Sequence, residues 1–186
     1  MTLVWIYSLA ILVILLGAQI LMRPHLLLRF AKFVFLISVV VFLFLGPYLS
    51  YQQYHLWKAG ALSKYFLPPY QGISYFISYA FTNFFFKTLI ALVASIIGLV
   101  GMRILNKKHG ERFFEPVEYY LFASGILLVG HPWWTLYVAL VFAVALLAAV
   151  GYLLISRKKE FRLSFYYLWI PIAIFTILIV RLVLHG

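Results

Sequence analysis

The sequence predicts an all-α fold: a polytopic integral membrane helix bundle of about six transmembrane helices, with an interfacial aromatic-rich segment. Three observations indicate this class. The 186 residues are 66% hydrophobic and only 10% charged, whereas about a quarter of a soluble domain is charged. The chain contains six apolar runs. Lys and Arg gather on alternate connections between these runs, so residues 1–186 are predicted to form a single transmembrane domain.

The first two runs are predicted to span the membrane at about residues 3–22 and 26–46. The first has no basic flank before it and no small-residue cleavage site after it, so we expect it to be retained rather than removed as a signal peptide. Arg29 and Lys32 lie in the first turns of the second run, where their long side chains reach the headgroups. Pro47 is expected to end the second helix.

The third part of the chain does not fit a single straight crossing. Residues 47–71 mix polar residues and prolines with many aromatic residues, a composition that predicts an aromatic belt on the membrane surface. The following run, Ile73–Leu105, has 33 residues, whereas about 20 residues cross the hydrocarbon. We therefore expect Ile73 to about Phe81 to lie at the interface and residues 84–105 to cross.

The last three spans are predicted at about residues 117–130, 134–155 and 163–184. The first of these is short, since 14 residues of helix cover roughly 21 Å. Such a helix must either thin the bilayer or be shielded by its neighbours.

The positive charges predict the orientation. Eleven Lys and Arg residues occupy the first, third and fifth connections, against four on the opposite face. The eleven are Arg23, Arg29, Lys32, Arg103, Lys107, Lys108, Arg112, Arg157, Lys158, Lys159 and Arg162; the four are Lys58, Lys64, Lys87 and Arg181. This bias predicts that the basic connections are cytoplasmic, that both termini lie outside, and that the chain resides in a prokaryotic inner membrane. Anionic lipid headgroups, rather than nucleic acid, are the expected partner of the net charge of +11.

The residue types present in the chain exclude several kinds of catalytic and metal-binding site. The chain has no Cys and no Asp, so thiolate nucleophiles and Cys-based metal sites are excluded. His131, in a predicted outer turn, is read as an interfacial residue rather than a proton carrier or ligand, and the other His residues show no ligand spacing. We predict no cofactor and no metal. A small channel is disfavoured, because few polar residues line the spans.

The four Glu residues hold the remaining candidates for chemistry. Glu115 and Glu118 are three positions apart at the predicted cytoplasmic start of the fourth span, so they share a helix face and could act as an acid and base couple. They are the candidate catalytic residues. The alternative is that carboxylates at a helix start complement the positive end of the helix dipole and the nearby basic residues. Glu111 and Glu160, among basic residues, are read as solvated ion pairs.

One string carries a resemblance to a known family. Val117-Glu118-Tyr119-Tyr120-Leu121-Phe122-Ala123, followed by Gly130, resembles the second catalytic segment of type IV prepilin peptidases. In that family a Gly-Asp-Val-Lys-Leu string opens a membrane helix at its cytoplasmic end. Glu118 stands where the family has Asp, and Ile170-Pro171 resembles the opening of the family's last span. The resemblance covers about residues 113–184.

The chain differs from that family at the catalytic residues. The resemblance implies an aspartyl protease in which two Asp residues share a proton and activate water, but this chain has no Asp. Val117 replaces the Gly before the catalytic Asp, Tyr120 replaces the Lys after it, and the earlier Asp has no counterpart. If the chain is an enzyme, it is a membrane-embedded acid-type peptidase that pairs Glu118 with Glu115, or with another Glu.

Two hypotheses follow from these observations. The first is a divergent, inactive prepilin-peptidase-like membrane protein that engages signal or leader peptide segments at the cytoplasmic face; it predicts that Glu118 is buried between helices. The second is a non-enzymatic structural or transport subunit that packs against other membrane proteins. It predicts that Glu118 is exposed and freely replaceable.

Overall fold

The computed structural model describes residues 2–110, 112–156 and 165–185. Within these ranges the chain is helical and has no β-strand, which confirms the predicted all-α class. Five of its helical segments are long and apolar enough to cross a membrane. In chain order the helices are α1 (Thr2–Leu21), α2 (Pro24–Ala59), α3 (Ile73–Ala80), α4 (Phe86–Lys108), α5 (Pro116–Val129), α6 (Trp134–Ser156) and α7 (Trp169–His185).

Helix α2 is much longer than the sequence predicts. It begins at Pro24, where a missing N–H costs nothing because first-turn N–H groups have no helical partner, and it runs for 36 residues through Pro47. The expected end at Pro47 is therefore wrong. Proline removes only the hydrogen bond that its own N–H would donate to the carbonyl four residues earlier, here that of Leu43, and membrane helices tolerate this loss where neighbouring groups compensate.

The end of α2 and helix α3 enclose a small aromatic cluster. Trp57 packs on Tyr79 and Phe76 with ring centroids 4.7 and 5.5 Å apart. Tyr54 contacts Phe76 at 5.3 Å, and Leu67 of the intervening segment is buried in the same cluster. Part of the aromatic-rich stretch therefore packs on α3, whereas most of its aromatic residues are exposed. Its location at a membrane interface remains a prediction.

A π-helical turn, Phe81–Phe85, joins α3 to α4. It lies where the sequence predicts that the long apolar run divides. The turn changes the helix locally without interrupting it, since Ile73–Lys108 is one continuous apolar segment of 36 residues. Side chains support the altered backbone: Asn83 Nδ2 donates to the Tyr79 carbonyl at 2.8 Å, and Thr82 Oγ1 donates to the Ser78 carbonyl at 3.0 Å.

Helix α5 is the centre of the bundle. It has 14 residues, and from Val117 to Val129 every residue except Tyr120 is buried. Helices α1, α2, α4, α6 and α7 all pack against it. A helix that is apolar on all sides is expected to be surrounded by protein. The sequence left two possibilities for this short segment, thinning of the bilayer or shielding by neighbouring helices, and the structure shows shielding. Helix α5 is not among the five segments that are long enough to span a membrane.

Helices α6 and α7 complete the packing around α5. Residues 130–133 form the turn into α6, with Gly130 at φ +77°, a conformation that favours glycine. A 3₁₀ turn, Phe165–Tyr167, precedes α7, so the last helix begins later than the predicted start of its span at residue 163. The basic connection at residues 157–162, with Glu160, lies outside the described residues, as does Glu111.

Candidate functional site

The site centres on a buried carboxylate. Glu118 is in the first turn of α5 and only 2% of its surface is exposed. Its Oε2 atom accepts a hydrogen bond from the indole N–H of Trp169, the first residue of α7, at 2.9 Å. Burying a carboxylate away from water costs free energy unless hydrogen-bond donors bind its oxygens. The bond from Trp169 therefore ties the start of α5 to the start of α7.

The second oxygen of Glu118 is also bonded. Oε1 accepts a hydrogen bond from the backbone N–H of Glu115 at 3.2 Å, and the Glu118 N–H donates to the Glu115 carbonyl at 2.9 Å. A Glu three residues after the N-cap typically reaches back in this way, and the dipole of the helix favours negative charge there. Both carboxylate oxygens of Glu118 thus have fixed protein donors.

Aromatic rings surround the Trp169 indole that donates to this carboxylate. Trp169 is 1% exposed, its ring lies 4.7 Å from that of Phe122, and Phe165 stacks on it at 5.4 Å. Phe114 closes a third side, with its ring centroid 6.4 Å from that of Trp169. In such a low-dielectric setting the bonds to Glu118 are stronger than they would be in water.

A buried amide anchors the segment that leads into the site. Asn106, near the end of α4, is 2% exposed, and its Oδ1 accepts hydrogen bonds from the N–H groups of Phe113 and Phe114 at 2.9 and 3.0 Å. Its Nδ2 donates to the Phe114 carbonyl at 2.8 Å and to the Tyr119 hydroxyl at 2.6 Å. These four bonds use the full capacity of the amide. Asn106 therefore fixes the approach to α5.

A further polar contact links α1 to the same region. Gln19 is buried near the end of α1, and its Nε2 donates to the Tyr166 carbonyl. The Tyr166 hydroxyl donates in return to the Gln19 carbonyl at 3.2 Å. Because Tyr166 lies three residues before Trp169, this reciprocal pair holds the turn that positions the indole. The ends of α1, α4, α5 and α7 are thus joined by polar contacts.

The two predicted catalytic residues have different environments. Glu118 is buried, whereas Glu115, at the N-cap of α5, is exposed. Glu111 and Glu160, the other possible partners of Glu118, are outside the described residues. Across the described ranges no group of three or more His, Cys, Asp or Glu residues could hold a metal. A catalytic role for Glu115 and Glu118 stays a prediction.

Sequence reasoning did not identify Asn106, Trp169, Gln19 or Tyr166 as members of the site. A polar residue within an apolar run was the available signal for Gln19, since such residues are costly in a membrane helix unless paired. Asn106 borders the polar connection, where an exposed amide is ordinary. Trp169 has no distinguishing signal, because tryptophan is common in membrane helices near the interface.

The arrangement can fix helix ends, because Glu118 accepts hydrogen bonds both from its own helix start and from α7. Comparisons of the chain with protein-family models, with curated proteins and with solved structures find no match. Function must therefore follow from the site's own hydrogen bonds, burial and charge.

Proposed function

We propose that this chain is a multi-pass integral membrane protein on a prepilin-peptidase-like helical framework, in which the carboxylate of the second catalytic segment has become structural. Its place would be the inner membrane, with both termini outside, and it would engage leader or signal segments at the cytoplasmic face without cleaving them. The observation that carries this proposal is that both oxygens of buried Glu118 accept hydrogen bonds from fixed donors, Trp169 and Glu115.

The position of Glu118 supports the framework. The first hypothesis predicts a carboxylate buried between helices at the start of a membrane helix, and Glu118 is buried in the first turn of α5. Gly130, twelve residues later, ends the same helix, at the place where the resemblance expects a glycine.

The bonding of Glu118 argues against catalysis. An acid protease of this type needs two carboxyl groups that share a proton and hold a water between them. Here an indole N–H and a backbone N–H occupy the two oxygens, and the neighbouring Glu115 is exposed. Each carboxylate oxygen can accept a second hydrogen bond, but only 2% of Glu118 is exposed, so water has little access to it as a general base.

The alternative, a structural or transport subunit, predicts that Glu118 is exposed and freely replaceable. The predicted exposure is wrong, since 2% of the residue is accessible. A subunit that contains a buried Glu118 remains compatible with the non-enzymatic proposal, and the two differ in whether leader segments bind.

The deciding experiment uses the full chain in vesicles and a synthetic peptide with a basic leader, an apolar segment and a photo-crosslinker. An active prepilin peptidase is the positive control. We expect no cleavage above that of empty vesicles, but cross-links near Phe113, an exposed aromatic residue beside the site. Phe113→Ala should lower the cross-linking several-fold. Tyr65→Ala, which changes an exposed aromatic residue on the predicted opposite face, should not.

Cleavage that disappears in Glu118→Gln would show that the chain is an acid peptidase and would refute the structural role. Absence of both cleavage and cross-linking would favour the subunit alternative.

A further inference from the structure

An apolar groove of about 620 Å³ runs along the bundle and shares one ring, that of Phe122, with the Glu118 site. We call it the α4–α6 groove, because α4, α5, α6 and the π turn line it. Among its lining residues are Phe86, Val93, Ile97, Phe122, Trp134 and Val138. No polar side chain contributes to the accessible wall. Its surface is therefore suited to a hydrocarbon occupant.

One end of the groove also lies near a positive charge. Phe86 at the start of α4 and Trp134 at the start of α6 both line this end. Lys87 follows Phe86 and is exposed; on a helix it shares a face with Ala94, two turns further along the groove. An ammonium group is thus positioned at the end of an apolar channel.

A packed helix is a poor occupant for this groove. Helices approach closely through small residues, but the small residue Gly98 is already used between α4 and α5: a Cβ there would lie 2.8 Å from Cε1 of Phe122. Bulky side chains such as Phe81, Phe86 and Trp134 form much of the remaining wall. A flexible chain can follow such a surface, whereas a rigid helix cannot.

We infer that the α4–α6 groove is a phospholipid site, in which one acyl chain lies along the groove and the anionic phosphate meets Lys87. The positive charge at one end and the apolar wall beyond it match the two parts of an anionic lipid. This site goes beyond the proposed function and does not depend on Glu118.

The test places the full chain in phosphatidylcholine vesicles that contain a trace of phosphatidylglycerol with a photoreactive diazirine in one acyl chain. We expect cross-links at Val93, Ile97 and Val138 several-fold above those at Leu147, which is 71% exposed on α6 but does not line the groove. Ala94→Phe places a large side chain in the groove and should remove this excess. If Ala94→Phe does not fold, Val93→Trp serves as the groove-filling variant instead.

The charge is tested separately. Lys87→Gln should lower phosphatidylglycerol cross-linking about fivefold, as the loss of one surface-bound basic residue predicts. Lys58→Gln, which removes an exposed charge near the end of α2, should leave it unchanged.

Three results would overturn the lipid site. First, the groove residues could be cross-linked to the lipid no more strongly than Leu147. Lys87→Gln and Lys58→Gln could have the same effect. Alternatively, Ile97→Cys could form a disulfide-linked dimer in this naturally cysteine-free chain, which would show that a second copy occupies the groove.

Discussion

Glu118 and Trp169 are 51 positions apart in the chain, yet their hydrogen bond decides how the site is interpreted. A carboxylate at a helix start is ordinary when it faces water, and is suggestive of catalysis when it is buried without partners. Glu118 is in a third situation: it is buried and bonded by a neighbouring helix and by its own N-cap. At the residue scale, these bonds are those expected of a group that fixes helix ends.

The indole bond can be tested by its effect on stability. Trp169→Phe keeps most of the packing but leaves a buried carboxylate oxygen without its donor, so we expect the free energy of unfolding to fall by about 1–3 kcal/mol. The measurement is unfolding of the purified protein by SDS in mixed micelles.

The matched control is Trp134→Phe, whose N–H meets no acceptor among the described residues and whose loss should cost less than about 0.5 kcal/mol. In the Trp169→Phe background, Glu118→Gln should then cost less than it does alone. Equal losses from the two Trp substitutions would contradict the structural role of the Glu118–Trp169 bond.

At the scale of elements, the packing of α5 on α6 depends on a close approach at Gly125. A Cβ at this position would lie 2.4 Å from the Tyr137 hydroxyl oxygen and 2.6 Å from its Cζ. Gly125→Ala should therefore lower the free energy of unfolding by about 1–3 kcal/mol, measured in the same SDS titration.

Gly17→Ala is the control within a helix, because a Cβ at Gly17 meets nothing within 4 Å. Since glycine is unfavourable in a helix interior, this change should leave stability the same or raise it by up to about 1 kcal/mol. If Gly125→Ala is as harmless as Gly17→Ala, the α5–α6 contact is looser than the structure indicates.

The elements also show what the sequence could predict. Hydrophobicity and length locate most of the helices and indicate that α5 either thins the bilayer or is shielded by its neighbours, because these features depend on each segment alone. The continuation of α2 through Pro47 could not be predicted, since whether a proline ends a membrane helix depends on packing beyond the local sequence. The pairing of Glu118 with Trp169 depends on how α5 meets α7, which no local pattern contains.

At the scale of the whole molecule, the number of crossings depends on α5. Among the described residues, five segments are long and apolar enough to span a membrane, and α5 would be a sixth crossing. If α5 crosses, residues before and after it lie on opposite sides.

Single-cysteine labelling can count these crossings, since the chain has no natural Cys to remove. With a membrane-impermeant maleimide on intact cells, Leu62→Cys and Thr135→Cys should label from outside, and His109→Cys only after permeabilisation. All three positions are exposed. Labelling of Thr135→Cys on the same side as His109→Cys would show that α5 does not cross, and a reversed pattern would overturn the predicted orientation.

The enclosure of α5 also has a consequence for biogenesis. Because nearly all of its surface contacts other helices, the lipid bilayer cannot hold α5 in its final environment before those helices have been made. Helix α7 is the last of them along the chain, and it supplies Trp169 to Glu118. The centre of the bundle is therefore completed only after α7 has been made and has reached the first turn of α5.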